Sequence, residues 1–174
     1  MPHLLFPTVL GTCGLAWNET GLTGFQLPER TETLTQRCLA WKSGMKPLEG
    51  SPPDWVQGII TRVQRHFEGK LQDFADTPLD WARVSALQQA VYRQAQTIKP
   101  GSKGTYGQIA KALALGPEGP REVGVALATN PWPLLVPCHR VVSADGKMTG
   151  FSAAGGVRTK TRLLALEGAE LLSE

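Results

Sequence analysis

Apolar positions follow one rhythm in the first part of the chain and another in the second. Leu4 to Leu10 is apolar but interrupted by Pro7 and Thr8, which suits an edge strand. Thr12 to Trp17 and Leu22 to Leu27 are extended apolar stretches separated by the turn cluster Asn18, Glu19, Thr20 and Gly21, so a β-hairpin is predicted. Thr31 to Trp41 reads as a helix against two features: the χ1-stiff threonines Thr31, Thr33 and Thr35, and a poor apolar periodicity. After Pro52 and Pro53, Asp54 is expected to cap a helix. Trp55, Ile59, Val63 and Phe67 recur every fourth residue along its core-facing side, and Gly69 stops it. Residues 70–80 lose this periodicity and read as a connection, dividing the chain into an N-terminal α/β lobe, 1–78, and a C-terminal domain, 79–174.

Beyond the connection, Val84, Leu87, Val91 and Ile98 line one face of a helix that ends at Pro100 and Gly101. A second helix, about Tyr106 to Leu115, presents Ile109, Ala110 and Leu113. The breaker Gly116 to Gly119 follows, and Pro120 suits the first position of a third helix reaching about Thr129. Two short helices joined by a glycine-containing turn fit either an ordinary helical hairpin or a helix-turn-helix. Pro131 and Pro133 prevent further helix, and the chain is expected to run extended through Leu134, Leu135 and Val136. Asp145-Gly146 suits a hairpin turn between Val141-Val142 and Met148. A final helix, Val157 to Glu167, buries Leu163 and Leu166.

Composition changes the picture only modestly. With 41% hydrophobic and 19% charged residues in 174, the chain has the makeup of a folded protein rather than a disordered one. No apolar run approaches the length of about 18 residues that a membrane span needs, and Leu4 to Leu10 lacks the basic flank of a signal sequence. Three cysteines, Cys13, Cys38 and Cys138, at wide spacing and without a C-x-x-C pair argue against a disulfide framework and fit a reducing, cytoplasmic setting. The net charge of +3 is unevenly placed. Residues 1–80 hold 7 Lys/Arg against 9 Asp/Glu, net −2, and residues 81–174 hold 11 against 6, net +5. This is either a chance fluctuation of surface charge or a face for phosphates.

The densest chemistry is Pro137-Cys138-His139-Arg140, where a thiol, an imidazole and a guanidinium follow one another. The thiolate is the reactive form, favoured by nearby positive charge or by a base, and His139 and Arg140 supply both. Neighbours in a strand point to opposite faces, so a direct Cys138 to His139 bond would need a turn, and a bridging water is the easier geometry.

The run from Asn130 to Val142, Asn-Pro-Trp-Pro-Leu-Leu-Val-Pro-Cys-His-Arg-Val-Val, resembles the active-site signature of the O6-alkylguanine-DNA alkyltransferases, or methylated-DNA-protein-cysteine methyltransferases. Thr105 to Ala110, Pro120 to Gly124 and Leu163 to Gly168 resemble further family motifs in the same order, so the resemblance is good from about Leu79 to Gly168. It implies an RNase H-like α/β N-terminal lobe and a mainly helical, winged-helix-like C-terminal lobe that carries a helix-turn-helix. The implied reaction is direct-reversal repair, with the alkyl group moving irreversibly from O6-alkylguanine in double-stranded DNA to Cys138, once per molecule. By the same resemblance, His139, through a water, and Glu167 form the relay that deprotonates the thiol, and Asn130 braces the turn beneath the site. Tyr106 contacts the flipped base and can donate to the leaving guanine. Arg121 is the finger that fills the gap in the base stack, with Tyr106 and Arg140 also on the DNA side. Pro133, Val136, Phe151 and Ser152 line the substrate pocket. No cofactor, metal, membrane or stable oligomer is implied, so a monomer is expected. Some relatives hold zinc in the first lobe, but His3, Cys13, Cys38 and His66 match no compact zinc spacing. Two departures stand out: Phe151 occupies a position where the family usually has Tyr, and the interval from there to Glu167 is about two residues longer than in many members.

Three other readings compete. A non-catalytic damage sensor of the alkyltransferase-like kind would have replaced Cys138. A Cys/His hydrolase would have no use for Arg121 on a helix-turn-helix, and a transcriptional regulator would read specific sequences in the major groove.

Overall fold

The computed structural model describes residues 1–43, 46–47, 50–145, 153 and 155–169. Three strands, β1 (Pro2–Thr8), β2 (Gly11–Trp17) and β3 (Leu22–Gln26), form an antiparallel meander. After helix α1 (Glu32–Ser43), the short strand β4 (Lys46–Pro47) adds in parallel to β1, giving the order β3-β2-β1-β4. The predicted hairpin is β2–β3, closed where Asn18 Oδ1 accepts the backbone N–H groups of Thr20 and Gly21.

The first strand is not the edge strand that its proline suggested. β1 pairs with β2 along its whole length and with β4 at Pro2 and His3. β4 ends well before Pro7, so the missing proline N–H interrupts no ladder on that side.

Helix α2 (Asp54–Phe67) follows the two prolines, but Asp54 is its first residue rather than its cap. Pro53 takes the cap position and offers no side-chain bond. Its buried stripe is Val56, Ile59, Ile60, Val63, His66 and Phe67, while Trp55 is 37% exposed. A row taken every fourth residue drifts by about 40° per step around a helix of 3.6 residues per turn, so a row that ends in the core at Phe67 has left it by Trp55.

Residues 70–80 carry little regular structure but are pinned to the first lobe. Leu22 N–H donates to the Pro78 carbonyl and Asp80 N–H to the Leu22 carbonyl, both at 2.9 Å. A Cβ on Gly21 would stand 2.7 Å from the Pro78 backbone. Helix α3 (Ala86–Ala95) is shorter than its apolar pattern implied. Ser85 and Gln88 close a capping box that starts it after Val84, and Leu87 lies on its exposed side.

Strand β5 (Gly104–Thr105) leads into α4 (Tyr106–Ala112), where Thr105 and Gln108 close a second capping box. α4 ends in a Schellman turn. Ala114 takes a left-handed φ of 54°, and the N–H groups of Leu115 and Ala114 bond the Ala110 and Lys111 carbonyls. α5 (Gly119–Ala128) packs against α4 so tightly at Gly119 that a Cβ there would lie 2.9 Å from the Ala110 Cβ.

The chain then turns where extension was expected. Leu134 has φ 77°, and Val136 N–H donates to the Trp132 carbonyl at 2.9 Å. Strand β6 (Val141–Val142) pairs in parallel with β5. Of the hairpin expected at Asp145-Gly146, the second arm lies outside the described residues. α6 (Gly156–Leu166) buries Lys160, Leu163 and Leu164, with Leu166 only partly covered.

One buried apolar cluster runs from Phe6 on β1 to Leu163 on α6. Trp132 lies at its centre, edge-on to Tyr92 and Trp81, and its indole N–H donates to the Leu22 carbonyl at 2.9 Å. Forcing Gly21 and Pro78 apart should therefore loosen this join. Gly21→Ala is expected to cost about 1–3 kcal/mol by overpacking. Gly58→Ala, on the open face of α2 with nothing within 4 Å, should stabilise by about 0.5–1 kcal/mol. Urea unfolding of both variants checks this, and equal effects would contradict the close approach.

Candidate active site

Cys138, His139 and Arg140 form a single 3-10 turn starting after Pro137, not a strand, so the alternation expected for neighbouring side chains does not apply. Two devices fix the turn. Cys138 N–H donates to the Val136 carbonyl at 2.7 Å. Asn130 clamps the approach, its amide donating to the Val136 carbonyl at 3.0 Å and its oxygen accepting Trp132 N–H at 2.9 Å. Asn130 thus holds both ends of the tight turn that contains the left-handed Leu134.

Cys138 is 8% exposed and borders a cavity of about 480 Å³. Asn130, Pro133 and Ala153 line it from the C-terminal half, Trp41 reaches it from α1, and Arg83 from the 3-10 turn Trp81–Arg83. Val136 does not line this cavity. Its side chain is fully buried in the core, and the turn uses only its carbonyl. Phe151 and Ser152, the other expected pocket residues, lie outside the described residues.

Behind the thiol lies a buried ionic cluster. Glu167, at the end of α6, meets His139 Nε2 with Oε1 and accepts Arg140 Nε at 2.8 Å on Oε2. Arg140 also donates to the Ile98 carbonyl at 2.7 Å. Arg140, expected on the DNA side, is therefore 5% exposed and turned inward, because the buried carboxylate needs a fixed cation more than the surface does. Burial by itself would raise the Glu167 carboxyl. The donors His139 and Arg140, with the His66 imidazole nearby, outweigh it and hold the group well below the usual carboxylate range.

Burial lowers the His139 imidazole despite the opposing pull of Glu167. The ring is thus neutral near pH 7, protonated on the Nε2 that faces Glu167. Its Nδ1 is buried and has no hydrogen-bond partner among the described residues. Burial raises the Cys138 thiol, and Asn130, Lys160 and the local backbone N–H groups only partly offset this. A thiol held up in this way needs a base, and His139 Nδ1 has an unused lone pair.

Tyr106, the first residue of α4, is half-buried, and burial raises its phenol, with a smaller contribution from Cys138. Arg121 is exposed near the start of α5, bordering an outer groove with Leu87 and Val125.

Sequence reasoning misses Lys160 altogether and considers His66 only as a zinc-ligand type, not as a site residue. Lys160 is fully buried, donates to the Val141 carbonyl at 2.7 Å and has its ammonium 5.9 Å from the centre of the Tyr106 ring. His66, from α2, lies 3.6 Å from Glu167 Oε1. Each is a polar residue on an otherwise apolar helical stripe, which is the signal that could have found it. Among the described residues, no group of three or more His, Cys, Asp or Glu is placed to hold a metal ion.

A family model for the DNA-binding domain of 6-O-methylguanine DNA methyltransferase matches residues 86–169. A methylated-DNA–protein-cysteine methyltransferase of Methanothermobacter thermautotrophicus is 32% identical over 158 residues, covering 91% of this chain and 80% of the relative. A protein of the same description from Methanosarcina acetivorans is 32% identical over 174 residues, covering 97% and 99%. The crystal structure of Mycobacterium tuberculosis OGT in complex with DNA superposes with a TM-score of 0.76 at 30% identity, over 97% of this chain and 93% of that one. The O6-methylguanine-DNA methyltransferase of Pyrococcus kodakaraensis gives 0.72 at 27% identity, over 97% and 99%.

The cluster makes the fold acid-sensitive. His139 and Glu167 both bind protons less readily folded than unfolded, from ordinary values of 6.5 and 4.5. Their stabilisation is complete above pH 6.5 and is lost as pH falls, first through the His139 value and then through that of Glu167. Thermal melts should show a Tm that is flat from pH 7 to 8, declines below about 6.5 and drops faster below about 4.5. A Tm that rises on acidification would contradict the neutral-imidazole assignment.

Proposed function

Because the chain belongs to the methylated-DNA–protein-cysteine methyltransferases, we propose that it repairs alkylated DNA by moving the alkyl group from O6 of guanine onto Cys138, once per molecule. One observation carries this reading: a buried thiol borders a cavity while the neighbouring imidazole, held by a buried carboxylate, keeps a free lone pair.

The electron flow is simple. His139, through a water, takes the Cys138 proton, and Glu167 stabilises the imidazolium that forms. The sulfur attacks the saturated carbon, a C–S bond forms, and the C–O6 bond breaks with its electron pair passing to guanine. The guanine anion needs a donor as charge develops, and Tyr106 supplies it, with the Lys160 ammonium close to the phenol ring. The product is a thioether, which offers water no carbonyl to attack, so the protein is spent after one turnover.

The damaged base reaches the cavity by leaving the DNA stack. α4 and α5 form the helix-turn-helix, α5 lies along the minor groove, and the exposed Arg121 fills the gap behind the flipped nucleotide. The net +5 of residues 81–174 attracts the backbone without reading sequence. An antiparallel meander followed by a helix and a strand parallel to β1 supports an RNase H-like reading of residues 1–78. The helix pair beside the β5–β6 pair supports a winged-helix-like reading of residues 79–174. Three widely spaced cysteines without a C-x-x-C pair suit a reducing cytoplasm, and the protein acts as a monomer. Cys138 speaks against the damage-sensor alternative, in which that residue is replaced.

Incubation with duplex DNA containing O6-methylguanine should add the mass of one methylene to the protein, mapped to Cys138. Cys138→Ala should bind DNA and gain nothing, and Cys13→Ala and Cys38→Ala should transfer normally. Label on Cys13 or Cys38 would overturn the assignment. Arg121→Ala should slow repair of the duplex by about tenfold or more while leaving transfer from free O6-benzylguanine within about twofold, since only the duplex requires flipping. Equal losses on both substrates would show that Arg121 is not the finger.

A further inference from the structure

The last turn of α2 brings His66 from the N-terminal lobe into the ionic cluster of the C-terminal half. The ring is fully buried and wedged between Phe67 and Phe74, whose centroids lie 6.2 and 5.3 Å away. Its Nδ1 accepts the backbone N–H of Gln72 at 3.0 Å. That bond leaves no proton on Nδ1, so the neutral ring carries its proton on Nε2. The Nε2 atom is buried and has no hydrogen-bond partner among the described residues, and it lies 3.6 Å from Glu167 Oε1, the oxygen that also meets His139.

We propose that His66 is a positioning residue for alkyl transfer: its Nε2–H is a second imidazole donor to Glu167, closing to hydrogen-bond distance in the reacting complex and setting how strongly that carboxylate pulls a proton onto His139. The inference rests on the reading that His139 is the base for Cys138. Contacts that are long in the free protein commonly tighten on the way to reaction.

The consequence follows from how donors share a carboxylate. Glu167 is faced by His139 and Arg140 from the 3-10 turn and by His66 from α2. Asp73, in the connection, acts on Arg140 from further away, and Lys160 of α6 acts on Cys138. Each N–H that Glu167 accepts draws charge away from the oxygen that supports an imidazolium at His139. With His66 in place, His139 stays neutral and able to accept the thiol proton near pH 7. Without that donor, the carboxylate holds a proton on His139 more firmly, and a larger fraction of the base is already occupied when substrate arrives.

The test compares intact wild-type protein, His66→Phe and His66→Gln in single-turnover methyl transfer from an O6-methylguanine duplex, across pH 5.5–9. Phe keeps the ring volume without the donor. Gln offers an N–H to Glu167 and a carbonyl to Gln72. In His66→Phe the acid limb of the rate profile should move up by roughly half to one pH unit, about a three- to tenfold loss at the foot of the limb, with the alkaline plateau within about twofold of wild type. His66→Gln should restore the wild-type limb. A merely structural role would lower stability or active fraction without moving the limb, so an unmoved limb in His66→Phe, or one displaced downward, overturns the proposal. If His66→Phe does not fold, ¹⁵N NMR of the wild-type ring decides, since a proton on Nδ1 rather than Nε2 overturns it as well. Failure of the wild type to take up any methyl group would instead refute the reading of Cys138, which the same experiment registers separately.

Discussion

A carboxylate buried away from water is the constraint around which this protein is arranged. Glu167 can stay charged inside the fold only if its oxygens are supplied with donors, and removing one partner from such a site typically costs about 3–5 kcal/mol. The donors come from distant parts of the chain: His139 and Arg140 from the turn after Pro137, and His66 from α2. The end of α6, the 3-10 turn and the last turn of α2 must therefore meet at one point. Asn130 and the Trp132–Val136 turn deliver the 3-10 segment to that point. The thiol is a neighbour of this arrangement rather than its centre, and its chemistry depends on how the carboxylate orients the imidazole.

Much of the architecture was legible in the sequence because local rules decide it. Asn18 to Gly21 closes the hairpin by side-chain to backbone bonds that any reader of turn chemistry expects. The proline pair before α2 and the breaker between α4 and α5 punctuate the chain where the structure does. The failures share a cause. Apolar spacing alone suggests where α3 starts and where α4 stops. The capping box at Ser85 and the Schellman turn at Ala114, which set those two ends, are polar or conformational signals. Pro7, which cannot donate, points to an edge position for β1, but β4 pairs only at the far end of the strand, clear of the proline.

The candidate site was legible where its residues are contiguous and illegible where the fold assembles it. Cys138, His139 and Arg140 announce themselves as a run, yet Arg140 faces inward. Nothing local distinguishes a guanidinium that will meet phosphate from one that will meet a carboxylate 27 residues on. His66 and Glu167 are brought together only by tertiary structure. The trace His66 leaves in the sequence is a polar residue at a position where the α2 stripe calls for an apolar one.

The indole of Trp132 has a consequence for how the gene can be divided. Its N–H is satisfied by Leu22, on a strand that precedes it by 110 residues, while its neighbour Pro131 accepts the N–H of Phe25 on the same strand. A fragment beginning after the connection would carry a large aromatic face and an unanswered donor into water, and the complementary fragment would expose the edge of β3. Neither half is suited to exist alone in solution. Co-expressed from separate messages, the two should find each other through this seam and reconstitute one particle, which makes the protein a natural candidate for a split reporter whose reassembly restores the acceptor thiol's surroundings.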